Sequence, residues 1–128
     1  MLFYNISKFL ENPYREDLVV KITLLASLIL NALIWLLLYF KLFPFSYLSD
    51  YGEIYLHYNI YFGIDNIGQW YLPFVIPILG LFIIIFNNLL AYIFYLQEKL
   101  VSYILLISQA LLHCVLLAAA IFVILLNI

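Results

Sequence analysis

Two groups of residues in this 128-residue chain could do chemistry. The first centres on His57, with Glu53 four residues before it and Asp50 and Asp65 close by in sequence. If residues 50–58 were helical, Glu53 and His57 would share a face. A carboxylate and an imidazole so placed could bind a metal or act as acid and base. The chain has no HExxH, no GxSxG, no paired metal motif and no phosphate loop. His57 and the acids are therefore expected to be solvated or to bond the backbone around them. Gly63, Asp65, Asn66 and Gly68 are residues that a tight turn demands, and Asp65 is expected to cap that turn through its side chain. No catalytic residue, metal ligand or cofactor is assigned. If a molecule docks on this stretch, His57, Asp65 and Trp70 meet it first.

The second group lies inside apolar segments: Asn31, Asn87, Asn88, Gln109 and His113. An amide in lipid without a partner costs several kcal/mol, so these side chains should bond to one another. Placing the last turn at Gln97-Glu98-Lys99 brings Asn88 level with Gln109, with Asn31 near the same depth. His113 falls one helical turn beyond Gln109 on the same face. Such a layer can be a clasp that fixes helix packing, or it can line a polar path or a ligand site. The clasp is favoured, because intramembrane function usually employs an ionisable group and the amides have none beside them except His113. A lone His without a carboxylate at its depth reads as a neutral packing residue rather than a relay or a ligand.

The elements that hold these groups follow from composition. The chain is 69% hydrophobic and 9% charged, with a mean hydropathy of +1.16. A soluble domain carries about 25% charged residues. The solvent for most of this chain is therefore lipid, and one domain suits its length. A net charge of −2 offers no basic field for nucleic acid, and a single cysteine, Cys114, excludes an intrachain disulfide. Residues 22–40 contain no charge and rise about 28 Å as a helix, enough for a bilayer core of about 30 Å. Lys21 and Lys41 bracket this first span, which reads as a retained signal anchor. Residues 72–96 and 100–126 form the second and third spans as an antiparallel hairpin, with a bend expected at Pro77. Before the first span, residues 1–12 have the pattern of an amphipathic helix lying in the membrane interface. Asn12-Pro13 resembles a helix start, and Asp17 with Lys21 is a favourable pair four residues apart.

Residues 41–71 connect the first two spans and are rich in Tyr, Phe and Trp, which prefer the headgroup level. This connection should rest on the membrane; its stretch 54–62 suits either a strand or an interfacial helix. Lys8, Arg15, Lys21 and Lys99 fall on one side of the membrane and Lys41 alone on the other. The charge bias predicts an N-terminus inside and a C-terminus outside. Ala110, Cys114 and Ala118 make a stripe of small residues on the third span, able to receive the second span near Gly80, a second copy or another protein.

The stretch LHYNIYFGIDNIGQWY (56–71), followed by Pro77-Ile78-Leu79-Gly80, Asn87-Asn88 and Leu90-Ala91, resembles an uncharacterised family of small three-span membrane proteins of candidate-phylum, small-genome bacteria. The resemblance covers roughly residues 56–105. Gln69 stands where that family has proline, so a rigid turn at Gly68-Gln69 is not implied. The resemblance carries no activity and no functional residue.

The expected fold is thus an all-α membrane protein of three transmembrane helices. It also has an interfacial N-terminal helix and a long aromatic loop between spans 1 and 2. The expected partners are the lipid bilayer and either further copies of the chain or another membrane protein. The function expected is that of a non-enzymatic oligomer or accessory subunit. A small oligomeric channel or transporter comes second, and a membrane-surface enzyme using His57 third.

Overall fold

The computed structural model describes residues 12–48 and 52–128. Three of its helices are long and apolar enough to cross a membrane. Their order is α1 (Leu18–Leu42), a short α2 (Phe45–Leu48), β1 (Glu53–Asn59), β2 (Gly63–Gln69), α3 (Val75–Phe94) and α4 (Lys99–Leu125). The interfacial helix read over residues 1–12 lies outside the described residues except for Asn12. An all-α description needs correction, because the aromatic connection folds into an antiparallel hairpin.

The start of α1 is built in two steps. Asn12 does cap a turn, its Oδ1 accepting from Tyr14 N at 3.1 Å, but that turn is a 3-10 turn over Pro13–Glu16. The α-helix begins only after Asp17, whose Oδ1 accepts from Val19 N at 2.9 Å. Both caps satisfy amide groups that a helix start leaves without partners. With Asp17 used in this way, the expected pairing with Lys21 does not form; Lys21 meets Glu16 at 3.3 Å instead.

The hairpin forms because Ile54, Tyr55, Leu56, Tyr58, Ile64 and Ile67 favour a pleated, half-buried surface. Gly63 opens β2 with φ +76°, a conformation costly for residues with a Cβ. The turn is therefore at 60–62 and not over 63–68, and Tyr61 N donates to Asn59 Oδ1 at 2.9 Å to close it. Opposed irregularities in the register surround His57, which pairs with Asn66. Ile54 points into the core, while Ile60, Tyr61 and Phe62 at the tip are more than four-fifths exposed. Gly68 permits close packing, since a Cβ there would stand 2.5 Å from Leu56 and 2.7 Å from Leu72.

A 3-10 turn over Leu72–Phe74 holds Pro73, and α3 begins at Val75. Pro77 then falls in the first turn of α3, where an amide hydrogen would have no helical acceptor in any case.

The three long helices pack on one another around two apolar clusters. Ile34, Leu38, Leu42, Ile54, Ala120 and Ile124 form one at the hairpin end. Tyr14, Val20, Ala91, Tyr95 and Leu106 form the other at the N-terminal end. Between them lies a polar layer.

Candidate functional site

The layer draws one side chain or more from each long helix. Ser27 and Asn31 come from α1, four residues apart and so on one face. Asn88 comes from α3, and Gln109 and His113, again four apart, from α4. Ser27, Asn31, Gln109 and His113 are all at most 2% exposed. Asn88 Nδ2 donates to Gln109 Oε1 at 2.9 Å and to Ile84 O at 2.8 Å. Gln109 Nε2 donates to Ser27 Oγ at 3.0 Å, and that hydroxyl donates to Thr23 O at 2.8 Å. Tyr14 OH donates to Asn88 Oδ1 at 2.9 Å. A chain of polar side chains thus ties Tyr14, α3, α4 and α1 together, and no member of it is charged. Burial raises the Tyr14 phenol to about 12, which keeps it a donor.

Asn31 is not part of this chain. It sits one turn along α1 from Ser27, where Gly80 of α3 and His113 of α4 face it. A Cβ on Gly80 would fall on Asn31 Oδ1 and 3.1 Å from His113 Nε2. Ser27 occupies the position expected for Asn31. Asn87 also stays outside, with its Nδ2 donating to Leu105 O at 3.3 Å, on the half-buried side of α3. The expected meeting of Gly80 with Ala118 does not occur. The connection between α3 and α4 occupies 95–98, earlier than Gln97-Glu98-Lys99, so the residue opposite Gly80 is His113. Ser102 Oγ donating to Ala91 O at 2.9 Å follows the same register. Asn88 and Gln109 still reach each other because the longer Gln109 side chain spans the offset of one helical turn along α4.

A second polar node closes the N-terminal end. Asp17 Oδ2 accepts from the hydroxyls of Tyr95 and Tyr103, both at 2.6 Å, and pairs with Lys99 Nζ at 3.0 Å. The Asp17 side chain is only 8% exposed. The two hydroxyl donors, Tyr103 first, hold its carboxyl well below the usual carboxylate range. The Lys99 ammonium also lies 5.2 Å from the centres of both tyrosine rings. The sequence signal for this node was faint: an acid before a span and two tyrosines eight residues apart around a lysine.

At the other end, Asn127 docks the hairpin. Its Oδ1 accepts from Tyr55 N and its Nδ2 donates to Tyr55 O, both at 2.8 Å. The amide thereby imitates a neighbouring strand along the outer edge of β1. Across the hairpin, His57 Nδ1 donates to Asp65 Oδ1 at 2.6 Å, with side chains 63% and 36% exposed. Glu53 and His57 both lie on the exposed face of β1, but four residues of extended strand hold them about 13 Å apart, so they form no acid–base pair, and Glu53 stands opposite Gln69. His57 borders an open, mainly apolar groove of about 560 Å³ that also touches Leu56, Ala119, Phe122 and Val123. Trp70 is not grouped with His57 and Asp65. It packs edge-on against Phe43 at 5.6 Å and Phe74 at 6.0 Å, and its N–H on the backbone donates to Gly52 O at 2.9 Å.

No group of three or more His, Cys, Asp or Glu among the described residues could hold a metal. Compared with protein-family models, curated proteins and solved structures, the chain matches none, so its function is to be read from these side chains themselves.

Proposed function

We propose that this is a multi-pass membrane protein without enzymatic activity, acting through helix contacts as an oligomer or as an accessory subunit of a membrane assembly. The observation that carries this reading is how the polar groups are used. Asn88, Gln109 and Ser27 bond to one another inside the chain, as a clasp should. The outward faces of the helices are left apolar. In the most apolar stretch of each of α3 and α4, only 22% is buried within the chain. The small-residue stripe is on this open side: Cys114 and Ala118 are exposed and Ala110 is half-buried. Such a stripe lets a second helix backbone approach closely.

In this reading the N-terminus is inside and the hairpin lies on the outer face, with Ile60, Tyr61 and Phe62 resting in the interface. A channel through one copy has less support, because apolar clusters cap the polar layer at both ends. An enzyme at the hairpin would use His57 and Asp65, but no nucleophilic hydroxyl or thiol other than a tyrosine borders their groove. Purification in mild detergent with native mass spectrometry tests the proposal, together with oxidative crosslinking through Cys114 in membranes. The expected result is a homo-oligomer or a stoichiometric membrane partner. A chain that runs as a lone monomer under both conditions would refute it.

A further inference from the structure

Two buried acceptors in the polar layer face the same small space without a donor between them. Asn31 is 2% exposed and His113 is fully buried. Asn31 Oδ1 and His113 Nε2 are the two buried side-chain atoms with no hydrogen-bond partner among the described residues. His113 Nδ1 lies 2.8 Å from the Gln109 carbonyl oxygen, which can only accept. Nδ1 therefore carries the hydrogen, and in a neutral ring Nε2 is left as a bare acceptor. Leaving two such groups unpaired away from water would cost several kcal/mol.

We propose that Asn31 Oδ1 and His113 Nε2 share one resident water molecule, which donates a hydrogen to each beside Gly80, the glycine that both atoms approach. Water has two donors and no charge, which is what two acceptors require. A cation would bring charge into a place with no counter-charge: the charged residues of α1 and α4 are Lys21, Lys41 and Lys99, all at helix ends, and α3 has none. An apolar molecule would leave both acceptors unsatisfied. Gly80 is the residue that lets the two acceptors come together here, because a Cβ would fall on Asn31 Oδ1 and crowd His113 Nε2. The apolar clusters on either side separate the layer from bulk solvent, so the water is a structural member of the layer, as buried waters on polar groups are. The site goes beyond the contact-based function above and does not depend on it.

The test is solid-state NMR of the full chain, labelled with 15N-histidine, in lipid bilayers. His57→Gln leaves His113 as the one imidazole and assigns its signals. The expected spectrum has a protonated Nδ1, an unprotonated Nε2 and magnetisation transfer from water to Nε2. Gly80→Ala is expected to abolish that transfer while the Nδ1 signal persists. The wild-type spectrum decides by itself if that variant fails to fold. A protonated Nε2 bonded directly to Asn31 would overturn the proposal. So would a direct bond from the Asn31 amide hydrogen to Nε2, or an unprotonated Nε2 with no transfer from water.

Discussion

Replacing Gln109 by leucine isolates what the clasp is worth. Gln109 is fully buried and its side chain makes two hydrogen bonds, one from Asn88 Nδ2 and one to Ser27 Oγ. Interhelical bonds of this kind in membranes average about 0.6 kcal/mol and reach about 1.7 kcal/mol. Both former partners keep a second bond: Asn88 Nδ2 to Ile84 O and Ser27 Oγ to Thr23 O, each at 2.8 Å. No donor is orphaned by the change, and leucine fills much of the space. The expected loss is therefore about 1–3 kcal/mol, the value of two membrane hydrogen bonds. Steric trapping in bicelles, or unfolding in mixed micelles with rising SDS, measures it. A double-mutant cycle with Asn88→Leu should return a coupling of about 1 kcal/mol. A loss above about 4 kcal/mol would refute this reasoning, because it would mean that the substitution strands a buried polar group. No measurable change would refute it equally, by showing that the bonds do not form.

Three further outcomes are expected. The Asp17 carboxyl, held down by Tyr103 and Tyr95, binds its proton less readily in the folded state, so its stabilisation is complete above an unfolded value of about 4 and fades as pH falls below it. Unfolding curves between pH 7 and 2 should show this decline, and Asp17→Asn should remove most of it. Asn127→Ala breaks two bonds to Tyr55 and should cost about 1–2 kcal/mol; hydrogen exchange at the Tyr55 amide should rise while the span amides keep their protection. The exposed pair of His57 and Asp65 is worth at most about 1 kcal/mol, so His57→Gln should leave thermal stability within that margin.

Much of the architecture is legible in the order of residue types. Charge-free runs between Lys21 and Lys41 and on either side of 95–98 mark helices that lipid can solvate, because a helix satisfies its own backbone. The amides Asn88 and Gln109 are visible as residues that must find partners. What the sequence does not reveal is which partners. A helix boundary displaced by two residues rotates a face by about half a turn. The early turn at 95–98 therefore brings Gly80 to His113, and not to Ala118. The hairpin was hidden for a similar reason. Tyr and Ile at spacings that fit both a strand and a helix leave the choice to tertiary contact, which Asn127 makes with Tyr55 from the far end of the chain.

The sequence by itself determined the solvent of this protein, the number of helices suited to it and the residues out of place there. Those properties follow from local composition. Tertiary structure alone decided that Ser27, not Asn31, completes the clasp. It also decided that Asp17 joins Tyr95, Tyr103 and Lys99, and that two acceptors meet over Gly80. Each of these depends on the rotation and register of one helix against another, set by packing over many side chains and legible in no short stretch of them.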